Sequence, residues 1–153
     1  MDKKFLAFLE IAKSFNNHGV VPALYGSLGL YRLIGQLDDI DDVDIIIPDV
    51  YLKDKFIELL EIMKEAGYKQ DPTHTHEFTK GEGYIGFQSG EELKQYAGID
   101  YGNFKTTTIN SVEFKELSPK DYLAIYKKTL DEWEKKAKKG YEVKIKALEK
   151  LLK

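Results

Sequence analysis

The chain has 153 residues, 42% hydrophobic and 12% aromatic, enough to bury a core and too apolar for an intrinsically disordered segment. It has no cysteine, which excludes disulfide scaffolds and thiolate metal sites and fits a reducing, cytoplasmic setting. The net charge of −3 hides an asymmetry: residues 135–153 carry eight lysines against Glu142 and Glu149, so the remaining chain is distinctly acidic.

In chain order, residues 3–17 place Phe5, Leu6, Phe8, Leu9, Ile11, Ala12 and Phe15 close to helical spacing, which predicts an amphipathic helix. Its charges interrupt any secretory apolar core, and no run reaches the ~18 apolar residues of a membrane span, so no membrane partner is expected. Asn16-Asn17-His18-Gly19 closes that helix. Residues 20–25 read as a buried strand, with Pro22 tolerated only at its start or on an edge. Gly26-Ser27 breaks the strand, and 28–35 is predicted as a short helix.

Residues 43–47 are a second strand, rich in β-branched side chains and stopped by Pro48. A helix over 52–66 follows, with Leu52, Phe56, Leu59, Leu60, Met63 and Ala66 in one stripe. From 68 to 116 the pattern changes to short strands and loops. Segments 77–80 and 84–88 flank a Gly-rich turn, while 105–109 and 112–116 flank Asn110-Ser111 as a hairpin. Ser118-Pro119-Lys120-Asp121 is a helix start, opening a helix that carries Tyr122, Leu123, Ile125, Tyr126, Leu130 and Trp133. Gly140 is expected to divide it from a last amphipathic helix. The order implies an α+β fold in one domain, 1–153: a mixed sheet with helices packed on one face and a helical C-terminal part from about 118.

Chemistry concentrates where six aspartates fall within residues 38–49. Asp42 and Asp44, two apart on a predicted strand, project from the same face about 7 Å apart, while Val43 and Ile45 turn inward. Their mutual repulsion can be relieved by fanning out into solvent or offset by a hard divalent cation such as magnesium, which takes few protein oxygens and fills its shell with water and phosphate. Upstream, Gly26-Ser27 ends a strand and opens a helix, where backbone N–H groups and a hydroxyl can receive a phosphate.

Tyr25-Gly26-Ser27, a short helix, and then Asp42-Val43-Asp44-Ile45 on the next strand resemble the signature of the nucleotidyltransferase superfamily of the DNA polymerase β type. The arrangement is similar to small antibiotic nucleotidyltransferases and to the head domain of CCA-adding enzymes. The run from Ile109 to Pro119 resembles the strand pair and helix that follow the catalytic strands in the antibiotic enzymes. The resemblance implies that Asp42 and Asp44 bind two magnesium ions and that Gly26 and Ser27 hold a nucleoside triphosphate. A nucleoside monophosphate would pass to an acceptor hydroxyl, with release of pyrophosphate. Arg32, on the helix after the turn, is a candidate for a phosphate contact.

The family carries a third carboxylate on a later central strand, and here the matching strand offers Gly86. Glycine has no side chain to bind metal or take a proton. Either another acid substitutes, with Asp100 in the most suggestive setting and Glu77 and Glu82 as alternatives, or the chain is a catalytically degenerate nucleotide- or partner-binding module. His74 and His76, with Glu77 nearby, are a candidate zinc pair without a local third ligand. The acceptor is expected to be a small molecule or a protein, with RNA a further possibility through the lysine-rich C-terminus.

Overall fold

Alternation organises the centre of the molecule. Along β2 (Val43–Ile47), Val43, Ile45 and Ile47 face one side and Asp44 and Ile46 the other, and all but Asp44 are buried. A five-residue strand that is apolar on both faces needs cover on both, and the chain supplies it. The computed structural model describes residues 2–35, 40, 42–132 and 135–153.

β2 lies in a mixed sheet. On one side it pairs antiparallel with β1 (Ala23–Tyr25), and on the other it pairs parallel with β5 (Gly83–Ser89). Outside β5 come β4 (Glu77–Lys80) and β3 (Lys69–Gln70), and outside β1 come β7 (Val112–Glu116) and β6 (Lys105–Ile109). The full order is β3-β4-β5-β2-β1-β7-β6.

α1 (Lys3–Asn17) and α3 (Phe56–Glu65) cover the face formed by Leu24, Val43, Ile45, Ile47, Ile85 and Phe87. Phe8, Ile11 and Phe15 of α1 and Leu59, Ile62 and Met63 of α3 meet them, and Ser14 Oγ ties the helices by donating to the Ile62 carbonyl at 2.7 Å. The C-terminal helices α5 (Pro119–Glu132) and α6 (Lys135–Leu151), with α4 (Gly90–Ala97), form a second cluster around Ala23 and Ile46 on the opposite face. Asp44 shares that face, so it opens toward the C-terminal helices. Among the described residues no helix is long and apolar enough to cross a membrane.

The departures from expectation have local causes. β1 begins at Ala23 rather than residue 20, because Pro22 has no N–H to give a ladder, although its carbonyl accepts from Lys115 N at 2.8 Å. α2 (Gly26–Ile34) starts two residues earlier than predicted, directly from the extended Tyr25. Residues 49–52 form a separate 3-10 turn, which delays α3 to Phe56. α4 was hidden by its polarity; its signal is the capping pattern Ser89-x-x-Glu92, with Ser89 Oγ accepting from Glu92 N at 3.2 Å. α6 runs through Gly140 without a break. Trp133, Asp38, Asp39 and Asp41 lie outside the described residues.

Packing of α2 depends on a glycine. A Cβ on Gly29 would meet the Tyr122 hydroxyl oxygen at 2.1 Å and the Leu24 carbonyl at 3.3 Å. That hydroxyl is buried and has no hydrogen-bond partner among the described residues. In urea unfolding, Tyr122→Phe is expected to raise stability by about 1 kcal/mol by removing an unsatisfied polar atom. Gly29→Ala is expected to lower it by about 1–3 kcal/mol, with part of that loss recovered in the Tyr122→Phe background.

Candidate active site

The site is built where β1 stops. Tyr25 pairs with Asp44 across the two strands, and the chain then turns at Gly26 straight into α2. Gly26 has a φ of +67°, and a Cβ there would lie 2.3 Å from Asp44 Oδ2. Both the backbone conformation and the contact exclude a side chain. The first turn of α2, whose cap residue Tyr25 makes no side-chain capping bond, is therefore set against the Asp44 carboxylate. Ser27, in that turn, is half-buried beside it. Asp42 sits in an exposed bend just before β2, one residue outside the strand that was expected to contain it.

Asp44 is the common wall of two hollows. The first, about 610 Å³, is closed by Tyr25, Gly26 and Ser27 on one side and by Tyr126 and Thr129 of α5 and Tyr141 and Lys144 of α6 on the other. The second, about 600 Å³, lies on the β4 side of Asp44 and is lined by residues 73–77 and 86–88. Gln88 also borders both.

Aromatic rings define the first hollow. Tyr25, Tyr122, Tyr126 and Tyr141 follow one another with centroids 6.0, 5.9 and 5.2 Å apart. Burial first, and then the charge of Asp44 among neighbouring groups, pushes the hydroxyls of Tyr25 and Tyr141 above the ordinary phenol value. They remain protonated donors at neutral pH. Lys144 Nζ lies 5.3 Å from the Tyr126 centroid and 5.4 Å from that of Tyr141, which brings a cation into a hollow bordered by Asp44.

In the second hollow the sheet register matters most. Asp44 pairs with Gly86, and Gly86 pairs with Glu77, so Tyr25, Asp44, Gly86 and Glu77 form one row on one face across four strands. Glu77 Oε2 accepts a hydrogen bond from the Tyr84 hydroxyl and lies 3.2 Å from His74 Nδ1. The bond to Glu77 is the largest influence raising the Tyr84 hydroxyl above its ordinary value.

Several expected site residues are occupied elsewhere. Arg32 Nε donates to Glu116 Oε1 at 2.7 Å, and its guanidinium lies 4.3 Å from the Phe5 centroid and 5.5 Å from that of Phe114. It lines neither hollow, because it lies in the last turn of α2, away from the Gly26 end. Asp100 also lines neither. It accepts from Gly102 N at 2.9 Å and pairs with Lys94 at 3.3 Å, contacts that hold its carboxyl below the usual carboxylate range. Glu82 is exposed in the β4–β5 turn.

His74 and His76 do not share a strand face, because both lie in the turn before β4. His74 is 3.4 Å from Asp71 as well as near Glu77, and His76 packs edge-on against Phe56. Among the described residues, no group of three or more His, Asp or Glu is gathered to hold a metal. Two aspartates flanking Val43 nonetheless supply the oxygen chemistry of a hard divalent cation that completes its shell with water and phosphate. Lys144 was missed as a cleft residue because its approach to Asp44 is long-range. Of the segment Tyr126-Lys127-Lys128, weighed from the sequence as a triphosphate contact and set below a solvated helix surface, Tyr126 borders the hollow, while Lys128 turns away, over the Tyr96 ring at 4.5 Å.

The fold is one seen in solved nucleotidyltransferase structures. Over 98% of this chain and 90% of that one, it is similar to the solution structure of the antibiotic-resistance factor ANT(2'')-Ia, with a TM-score of 0.58 and 14% identity. A crystal structure of ANT(2'')-Ia with adenylyl-2''-tobramycin is similar at a TM-score of 0.57 and 14% identity, over 96% of this chain and 92% of that one. An antigenic nucleotidyltransferase-like protein from Paracoccidioides brasiliensis is similar at 0.63 and 12% identity, over 96% and 76%. No protein-family model matches the chain. The chain belongs to the family of the uncharacterized protein YnaI of Bacillus subtilis (strain 168), with which it is 37% identical over 153 residues, covering 98% of each.

Three substitutions test this geometry. Gly26→Ala is expected to lose about 1–3 kcal/mol in chemical denaturation. Combined with Asp44→Ala, which removes the clash but not the strained φ, it should lose less than the sum of the two separate changes. Arg32→Ala is expected to cost about 1–3 kcal/mol of stability through its lost ion pair and ring contacts.

Proposed function

We propose that the chain is a metal-dependent nucleotidyltransferase. It would move a nucleoside monophosphate from a nucleoside triphosphate to an acceptor hydroxyl and release pyrophosphate. The observation that carries this reading is the position of Asp44, a wall shared by two hollows with the first turn of α2 set against it. Transfer between two substrates needs two binding spaces meeting at one reacting centre, and proximity alone lowers such a barrier greatly.

The first hollow suits the nucleotide. Gly26 and Ser27 offer backbone and hydroxyl donors at a helix N-terminus, which favours a phosphate. Lys144, held over the Tyr126 and Tyr141 rings, adds positive charge opposite them. Asp42 and Asp44 would hold magnesium, which supplies charge neutralisation of the triphosphate and polarisation of the attacked phosphorus when bound. The second hollow is left for the acceptor. Its volume and position suit a small molecule or a protein side chain, and ANT(2'')-Ia, whose adenylyl-2''-tobramycin complex is known, offers a precedent for a small-molecule acceptor.

One observation favours a second reading. Gly86 places no side chain beside Asp44 where the resembled family carries a carboxylate, as in a module that keeps nucleotide binding without transfer.

Magnesium and each nucleoside triphosphate, titrated into the full chain while backbone amide shifts are followed, separate these outcomes. Responses at Gly26, Ser27 and Asp44 at millimolar ligand are expected, and silence there removes both readings. Pyrophosphate release distinguishes the enzyme from the binding module. Asp42→Asn combined with Asp44→Asn is expected to abolish the response to magnesium nucleotide. Its thermal midpoint without metal should stay level or rise, because two neighbouring like charges are removed.

A further inference from the structure

The sheet ends on two unlike edges. At one end β3 is only the exposed pair Lys69-Gln70, too short to receive another strand. At the other end β6 is Lys105-Thr106-Thr107-Thr108-Ile109, and among the described residues no strand pairs with its outer side. All of it but Lys105 is β-branched, which favours extended backbone. Proline, a bulge or repeated charge ordinarily blunts such an edge. β6 runs in continuous register with β7, has no proline, and carries charge only at Lys105, its first residue.

The hairpin fixes which backbone groups point outward. Asn110 and Ser111, with φ of 52° and 66°, form a two-residue turn closed by the pair Ile109–Val112. Hydrogen-bonded and non-hydrogen-bonded pairs alternate from there, so Lys105, Thr107 and Ile109 exchange bonds with β7. The N–H and C=O groups of Thr106 and Thr108 therefore face away from β7. Thr107 lies midway between them, so a two-fold axis beside Thr107 carries one outward pair onto the other. The side chains of Thr106 and Thr108 are exposed, while Thr107, on the other face, donates through Oγ1 to Glu116 Oε2 at 2.7 Å. β6 lines neither hollow.

We propose that β6 is a self-association edge, which takes β6 of a second copy of this chain antiparallel about Thr107. Thr106 exchanges N–H···O=C bonds with Thr108 of the second copy, and the two Thr107 residues face each other as a non-hydrogen-bonded pair. The charges accept this register. With β7 included, one row across the joint runs Glu116, Lys105, then Ile109 and Val112 of the second copy. On the opposite face Glu113 and Thr108 continue into Thr106 and Lys115 of the second copy. Like charges nowhere stand opposite one another, and facing threonines add side-chain contacts. A two-residue slip sets Thr106 or Thr108 against its own copy and leaves the other beyond the end of the strand. That self-complementarity is the reason the edge fits a second copy rather than an unrelated strand. Strands this short bury little side-chain surface, so the association is reversible and depends on concentration.

Sedimentation equilibrium of the full chain, from micromolar to millimolar concentration, is expected to show a mass rising from 17.6 kDa toward twice that value. Thr106→Pro removes an outward N–H and spares the bonds to β7. It is expected to keep the folded amide spectrum and to weaken self-association about tenfold or more. The chain has no cysteine, so a single introduced thiol reports the register. Under a mild oxidant Thr107→Cys is expected to form a disulfide-linked dimer about tenfold or more faster than Thr106→Cys, because residue 107 faces itself at about 4.5 Å between Cα atoms and residue 106 does not. A chain that stays at 17.6 kDa at millimolar concentration overturns the proposal and leaves the edge to an unrelated strand. Equal cross-linking of the two cysteine variants also overturns it, as does a folded Thr106→Pro chain that associates within about twofold of the unsubstituted one. Should Thr106→Pro fail to fold, the cysteine pair decides alone.

Discussion

The approach of the Gly26 backbone to the Asp44 carboxylate is the constraint around which this face of the molecule is arranged. β1 and β2 run antiparallel, so the end of one lies beside the start of the other, and a helix that begins at once must turn over that corner. Only a residue without Cβ can do so at a positive φ while a carboxylate oxygen occupies the place its side chain would take. The result joins two electrostatic elements of opposite sign, a helix N-terminus and an acid, within a single turn of chain. The tyrosines and Lys144 face the same point from the C-terminal helices.

Glycines elsewhere on α2 and β5 set distances in the same way. Gly29 lets α2 lie against the Tyr122 hydroxyl, and through Tyr122 the helix meets the ring series that borders the first hollow. Gly86 does the reverse and keeps a space open, separating Asp44 from Glu77 by a strand with no side chain. Close approach on one side of Asp44 and a gap on the other give it two neighbouring spaces instead of one.

The charged residues that leave the site are as informative as those that stay. Arg32 is used to fasten α2 to β7 and α1, through Glu116 and two phenylalanine rings. Asp100 caps a short turn and pairs with the end of α4. Each had a plausible position in the sequence, and each is satisfied by a partner that the local pattern does not reveal.

What the amino-acid order determined alone is the set of elements carrying strong local signals. The 112–116 strand and its hairpin partner, the helix opening at Ser118-Pro119 and the Gly26-Ser27 break all rest on turn chemistry, capping or period, which act over a few residues. The Gly-Ser and Asp-Val-Asp pattern was legible for the same reason, since spacing within one strand–helix–strand unit fixes which groups can meet. α4 was not read from the sequence, although Ser89-x-x-Glu92 carries its capping pattern. Tertiary structure alone decided that Lys144 and Tyr126 face Asp44, that Arg32 does not, and that Glu77 stands opposite Gly86. Strand register and helix packing join residues far apart in the chain, and no local propensity encodes which distant partner a side chain will find.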